Sequence, residues 1–381
     1  MNLFPCSDAD LLRLADRHGT PCFVYRAAAV DAQYRRLRSA LSARARVAYA
    51  VKANPHPNLL RTLAGLGAGF DCASEGELRR AATLGGSRLF YAGPGKRQAE
   101  LALALQVGAR VQAEGWEDLE RLEALASGPV AVNLRVHPAR GVEESNRIIG
   151  GAGPSAFGVD EEAVPELLER ARRLRRVRIR GLHVFAASNQ RDAARLLATH
   201  AMVFGLAKEL QQVHGLALDQ IDVGGGLGVP YAADQAELDT AALGQGLSDL
   251  LAAHGWFTGE LILEPGRYLA APCGVYLARV VRVKPSRGET FAVLEGGINH
   301  LLRPLLTGEA FPVRKLGEAG PALDYTLAGP LCTSLDRLGK VQLPALAAGD
   351  LLAFGMTGAY GFSEGMTHFL SHPLPKEVWV E

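Results

Sequence analysis

The residues with the types and spacing to do chemistry fall into a few short groups. Lys52 closes an apolar run, Tyr49-Ala50-Val51-Lys52-Ala53-Asn54. If buried, its ammonium is disfavoured, and the neutral amine becomes a nucleophile towards a carbonyl; a lysine that snorkels to solvent is the alternative. Gly224-Gly225-Gly226 lets backbone N–H groups approach an anion at the start of a following helix. It is no dinucleotide fingerprint, because Val229 stands where the third glycine belongs, and a plain tight turn is the alternative. Glu264-Pro265-Gly266-Arg267 sets a carboxylate beside a guanidinium, which by themselves read equally as a structural ion pair. Asp71, with a helix N-cap as its bland role, and His183, Phe185 and Ser188 complete the set. An amine for an aldehyde, a cradle for a phosphate and a carboxylate for a ring nitrogen are together what pyridoxal phosphate requires.

Positioning these groups requires strands that end on one face. Eight short apolar runs, 47–51, 70–72, 88–91, 110–112, 130–136, 179–184, 220–223 and 260–263, alternate with helical stretches. Strand–helix alternation repeated eight times predicts a parallel (β/α)8 barrel, an α/β fold whose active sites lie at the strands' C-terminal ends. Lys52, Asp71, His183 to Ser188, the glycines and Glu264 all fall on that face. After Glu264 the runs 274–283, 291–294, 325–327, 340–343, 351–354 and 377–380 lack long helices between them. They predict an antiparallel β domain, joined by the early strand 22–25. The expected division is a segment 1–30 that joins the β domain, a barrel over 31–265 and the β domain over 266–381.

Composition narrows the function. Of 381 residues, 41 are Lys or Arg and 40 Asp or Glu, a net charge of +1 that gives no basic surplus for nucleic acid. No apolar run reaches the ~20 residues of a membrane span, and the first residues show no signal-peptide pattern, so a soluble cytoplasmic protein without a membrane partner is expected. Cys6, Cys22, Cys72, Cys273 and Cys332 are odd in number and scattered, and the ten histidines form no HExxH, so neither a disulfide framework nor a metal site is expected.

The ordered motifs 49–54, 67–77, 222–228, 264–267, 329–332 and 358–361 resemble those of the fold-type III pyridoxal-phosphate decarboxylases, the diaminopimelate and ornithine/arginine decarboxylases, over nearly the whole chain. The resemblance implies an alanine-racemase-like barrel with a β domain, and a homodimer whose active sites lie at the subunit boundary. By it Lys52 is the Schiff-base lysine and Glu264 pairs with the pyridine nitrogen. Gly225, Gly226, Gly266, Ser188 and Tyr360 surround the phosphate, with Asp71 and Phe185 also facing the cofactor. Arg267 meets phosphate or a substrate carboxylate, and Cys332 returns the proton to the carbanion at the neighbouring subunit's cofactor. Read alone, Cys332 is a small buried apolar residue and Tyr360 a half-buried core aromatic.

Departures from the pattern bear on the substrate. Phe185 takes the position where the family carries a histidine that stacks on the ring, and His183 reads as a satisfied core histidine. Thr333 replaces the acid that would meet a distal ammonium, and Arg303-Pro304-Leu305-Leu306-Thr307 keeps an arginine that could grip a carboxylate but loses the family's tyrosine. Arg303, Thr333 and Asp336 are candidate substrate contacts, with Glu364 and His368 further candidates for the pocket wall. Segments 186–190 and 369–373 look more like decarboxylases of secondary metabolism. Those include the staphyloferrin-B-type siderophore enzyme, which acts on a citryl-diaminopropionate conjugate, and enzymes acting on carrier-linked glutamate. The alternatives are diaminopimelate decarboxylase, an amino-acid racemase and a non-catalytic binding paralogue.

Overall fold

The structure is a computed structural model that describes residues 3–139, 153–185, 188–317 and 320–381. The chain divides into two compact units, one of Met1–Ala32, Val229–Glu237 and Arg267–Glu381, the other of Gln33–Gly228 and Leu238–Gly266.

Strand β1 (Cys22–Arg26) belongs to the first unit. The second holds β2 (Ala45–Ala50), β3 (Gly69–Cys72), β4 (Leu89–Tyr91), β5 (Arg110–Ala113), β6 (Val130–His137), β7 (Val159–Asp160), β8 (Val177–His183), β9 (Gln220–Asp222) and β10 (Glu260–Leu263). Their order is β5-β4-β3-β2-β10-β9-β8-β6, all parallel, and the β5–β6 pairing closes the ring. The eight-stranded parallel barrel expected from the sequence is therefore present. The two-residue β7, an extra partner on β6, carries no pattern of its own and exists only through that pairing.

The barrel interior is not purely apolar. Asn133 Nδ2 donates to Gln220 Oε1 (2.9 Å), and Arg110 donates to Asn133 Oδ1 (2.9 Å) and Asp219 Oδ1 (2.6 Å). Gln112 Nε2 donates to Asp222 Oδ2 at 2.9 Å. Each of these groups finds a partner across strands, which is the condition for burying it. A Cβ on Gly181 would overlap Asn133 Oδ1, so glycine at that position makes room for the interior amide.

The first unit continues with β11 (Gly274–Ser286), β12 (Glu289–Leu294), β13 (Val313–Lys315), β14 (Leu323–Ala328), β15 (Arg337–Leu343), β16 (Leu351–Phe354) and β17 (Lys376–Val380). The sheet runs β13-β16-β11-β12-β14-β15, with β1 beside β11 and β17 beside β1. The expected antiparallel domain is in fact mixed: β1–β17 and β12–β14 are parallel. Neither pair is joined by a hairpin, so nothing local dictates antiparallel pairing. The N-terminal segment also carries a helix, Asp8–His18, that the strand-based reading did not include. Its signals are a Ser7 N-cap accepting from Asp10 N (3.2 Å) and buried Leu11 and Ala15 four residues apart. Among the described residues no helix is long and apolar enough to cross a membrane.

Helix Ala193–His214 packs Leu196, His200, Val203, Phe204, Ala207 and Leu210 inward. Burial pushes the His200 imidazole down from 6.5 to about 4, and its Nδ1 has no hydrogen-bond partner. Between those two values the unfolded chain binds a proton at position 200 that the folded chain does not. Stability is therefore lost as pH falls from above 6.5 towards 4, by up to roughly 3 kcal/mol. Denaturant unfolding of the wild type and of His200→Leu at pH 7.5 and 4.5 checks this: the wild type should lose more stability on acidification, by about one bound proton's linkage.

Candidate active site

At the barrel mouth the strands end on chemistry. Lys52 lies in a 3-10 turn, Val51–Ala53, directly after β2. Tyr49 Oη donates to the Asn54 carbonyl at 3.1 Å and pins that turn. Gly266 closes over it: an added Cβ would lie 3.0 Å from the Ala53 Cβ and 3.1 Å from the Ala50 Cβ. Of the two alternatives the sequence left open for Lys52, its side chain is exposed, because the turn lifts it out of the strand. Its Nζ stands 5.2 Å from the centre of the Phe185 ring, within cation–π range.

Beneath it the ends of β8, β9 and β10 converge. His183, Asp222 and Glu264 are buried, and one potential ligand atom from each lies within 4.8 Å of the others. His183 Nε2 is 3.5 Å from Glu264 Oε2, and both His183 ring nitrogens lack hydrogen-bond partners. This corrects the reading of a satisfied core histidine. Asp222 accepts from Gly224 N (2.9 Å) and from Gln112 (2.9 Å). Burial and the Glu264 charge push the Asp222 carboxyl well above the usual range. Burial also works against ionised Glu264, but the His183 and Lys52 charges and a hydrogen bond from Asp222 outweigh it and hold Glu264 low. The two carboxyls are thus pushed in opposite directions, Asp222 up and Glu264 down, and Glu264 Oε1 is left unpartnered. Asp71 in β3 is buried with Oδ1 unpartnered, and burial and Glu264 raise it too. It caps no helix: Ser74 caps Glu75–Ala82.

The glycines after β9 form a close-approach turn. Gly224 has φ +70°, and a Cβ there would sit 2.9 Å from the Phe185 ring; on Gly225 it would sit 2.5 Å from the Glu264 carbonyl. Any side chain would fill the space above the Glu264 strand end. The turn does not open a helix, contrary to expectation, since the next one, Thr240–Ala253, starts fourteen residues beyond Gly226. The intervening Val229–Glu237 belongs to the other unit. Ser188 is half-buried, and its neighbours 186 and 187 lie outside the described residues.

In that other unit Arg267, Arg303 and Tyr360 come together. Arg267 Nη1 donates to Tyr231 Oη at 2.8 Å, and the Tyr360 ring lies 4.8 Å from the Arg267 guanidinium and 5.1 Å from that of Arg303. Tyr360 holds φ +58°, a conformation that L residues seldom adopt. Arg303 is buried beside Glu364, not a surface ion pair. Cys332 is exposed, which removes its reading as a buried apolar residue. Asp336 is buried, and its oxygens accept from Ile298 N and Leu331 N, each at 2.8 Å, so it organises the loop that carries Cys332. Thr333 Oγ1 likewise accepts from Leu335 N within the loop (3.3 Å). Asp222, Gln112 and Tyr231 were not singled out in the sequence. The signal for the first two was a polar residue inside a short apolar strand.

A buried ionised carboxylate, an amine beside an aromatic face and a glycine turn define a site for a phosphorylated aldehyde cofactor. Residues 27–271 match the family model of the pyridoxal-binding domain of pyridoxal-dependent decarboxylases. The chain is 36% identical to a diaminopimelate decarboxylase of Deinococcus radiodurans over 367 residues, 96% of this chain and 91% of that one. It is 32% identical to the L-glutamyl-(BtrI acyl-carrier protein) decarboxylase of Niallia circulans over 397 residues, 99% of this chain and 92% of that one. The solved diaminopimelate decarboxylase of Helicobacter pylori complexed with L-lysine superimposes with a TM-score of 0.88 at 26% identity, covering 97% of this chain and 94% of that one. The chain belongs to the fold-type III pyridoxal-phosphate-dependent decarboxylases, and it is an amino-acid decarboxylase with pyridoxal phosphate as cofactor. The unpartnered Glu264 oxygen and the space a Cβ on Gly225 would fill fit that group.

Asparagine at position 222 removes the charge beside Glu264 yet can still accept from Gln112 or Gly224 N, whereas leucine cannot. Asp222→Asn should keep pyridoxal phosphate affinity and the visible band of the bound cofactor within about threefold of wild type, and Asp222→Leu should weaken binding about tenfold or more. Equilibrium titration of the apoprotein reads both.

Proposed function

We propose that the chain removes the α-carboxylate of an amino acid whose side chain is carried as a conjugate, within a biosynthetic pathway of the siderophore or secondary-metabolite kind. Lys52 would tether the cofactor, and Glu264 would face its ring nitrogen and keep it protonated. Phe185 offers a flat apolar face, with Asp71 beside the Lys52–Glu264 pair. The N–H groups of Gly225, Gly226 and Gly266, with Ser188, would hold the phosphate. When bound, pyridoxal phosphate supplies the electron-accepting ring that makes loss of CO2 feasible. The protein's part is to hold the departing carboxylate perpendicular to that ring and to return one proton to the carbon it leaves. The exposed Cys332 thiol takes that second role, acting on the cofactor of a second copy in a homodimer.

The observation that carries the substrate reading is the Cys332 loop. Thr333 stands beside the cysteine where an acid is expected, and Asp336 is held internally by two backbone N–H groups. A lone distal ammonium finds no counter-charge there. The Niallia circulans relative, named for a carrier-linked glutamyl substrate, supports the same reading. The second reading, diaminopimelate decarboxylase, draws on the 36% identical Deinococcus radiodurans relative.

Product masses and CO2 release from γ-glutamyl amides and thioesters, meso-diaminopimelate, lysine, ornithine and arginine separate the two; turnover of meso-diaminopimelate above the conjugates would favour the second. Lys52→Ala should abolish both the visible band of the bound cofactor and CO2 release. Cys332→Ala should leave that band intact while lowering kcat about 10²–10⁴-fold, the usual range for a lost proton donor.

A further inference from the structure

Where β2, β3 and β4 begin, at the opposite end of the barrel from Lys52 and Glu264, a cavity of about 430 Å³ opens. That volume is in the range of a small-molecule site. Three arginines line it, Arg38, Arg46 and Arg88, and no acid does. Arg38, near the end of helix Ala27–Ala40, gives its N–H groups to the carbonyls of Leu41 (3.0 Å), Ser42 (2.7 Å) and Ala45 (2.7 Å) and so holds a fixed charge there. Arg46 and Arg88 share one carboxylate, Glu260 at the start of β10. Arg46 Nε donates to its Oε1 at 3.1 Å and Arg88 Nη1 to its Oε2. Burial and the Arg46 charge push the Arg88 guanidinium down. Two guanidinium groups, each with further N–H donors, are thus held together by a single acid and are short of negative charge.

The room beside these cations exists because side chains are missing. Gly67 (φ +87°), Gly85 (φ +65°) and Gly86 (φ +64°) line the cavity, and a Cβ added to any of them would meet nothing within 4 Å. Gly69 acts differently: a Cβ there would sit 2.9 Å from the Arg88 carbonyl oxygen, so glycine lets β3 draw in the segment that carries Arg88. Phe70 N donates to that same carbonyl at 2.8 Å. Val47, Ala48, Ala68 and Phe90 supply buried apolar lining, with Ala64 of helix Pro57–Gly65 beside them. All of these residues belong to the barrel unit.

We infer that this cavity binds a small organic anion, with its phosphate or carboxylate head on Arg46 and Arg88 and its apolar body against Ala68 and Phe90. Planar guanidinium groups pair with oxyanions through two parallel N–H bonds, which gives the head its place. A cation would be repelled by three positive charges, and a neutral apolar molecule would leave them unanswered. A bare inorganic anion would leave the apolar lining wet. Arg46 and Glu260 open strands whose other ends lead to Lys52 and Glu264, so the occupant stays clear of the reacting centre. It is a second ligand, an effector and not the substrate.

Isothermal titration of the cofactor-loaded enzyme tests this with four probes: phenyl phosphate, phenylacetate, inorganic phosphate and benzyl alcohol. One of the first two should bind once per chain and about tenfold or more tighter than either of the last two, and which one wins identifies the head group. Arg46→Gln combined with Arg88→Gln should weaken that binding about tenfold or more, while lysine at both positions, a charge without the fork, should keep part of it. Ala64→Trp leaves every charge in place but fills the cavity, and should abolish binding. The visible band of the bound cofactor should be unchanged in all these variants, which separates loss of the ligand from loss of the fold. The inference is overturned by no saturable binding of either phenyl compound, by inorganic phosphate binding as tightly as they do, or by binding that survives the glutamine pair or Ala64→Trp.

Discussion

A carboxylate taken out of water keeps its charge only if its surroundings replace the lost hydration, and the barrel mouth is arranged around that requirement at Glu264. Asp222 is as deeply buried and lies within 4.8 Å of it, and at that separation each charge opposes the other. The directions differ because Glu264 has His183 Nε2 at 3.5 Å and the charge of Lys52 to hold it down. Gln112 and the Gly224 N–H fix the Asp222 carboxyl in place. The groups come from the ends of β2, β5, β8, β9 and β10, so the charge state of one residue depends on the registry of five strands.

The same constraint explains the glycines. A carboxylate poised for a ring nitrogen is of use only if the ring can reach it. Side chains at 224 or 225 would press on Phe185 and on the Glu264 backbone. Gly266 performs the matching service on the other side, letting the chain after Glu264 pass against Ala50 and Ala53 and so against the turn that presents Lys52. Backbone clearance, more than any single contact, sets amine, aromatic face and carboxylate in one place.

The second unit treats its charges differently. Arg267 is closed off by Tyr231 and stacked on Tyr360, a settled arrangement, whereas Arg303 and Glu364 remain apart with unsatisfied atoms. The Cys332 loop combines rigidity with exposure: Asp336 gathers the Ile298 and Leu331 N–H groups, leaving the thiol at the surface.

Much of this was legible in the chain alone. Eight apolar runs separated by helical periodicity determined the barrel, because strand and helix patterns are local and every crossover repeats the same unit. Lys52 and Glu264 were legible because a charge at the end of an apolar strand has few reasons to be there. Tertiary structure alone decided the rest. Asp222 and Gln112 read as ordinary polar residues until strand pairing set them against each other across the interior. Asp336 had the composition of a substrate contact, and only the fold turned its oxygens inward. Whether Lys52 is buried or reaches solvent was open in the sequence, since a 3-10 turn three residues long leaves no periodic trace, and the fold exposes it. The meeting of Arg303 with Glu364, sixty-one positions apart, follows from how the sheet folds back on itself. Patterning reports what each segment is; which charges face one another depends on distances that no stretch of sequence contains.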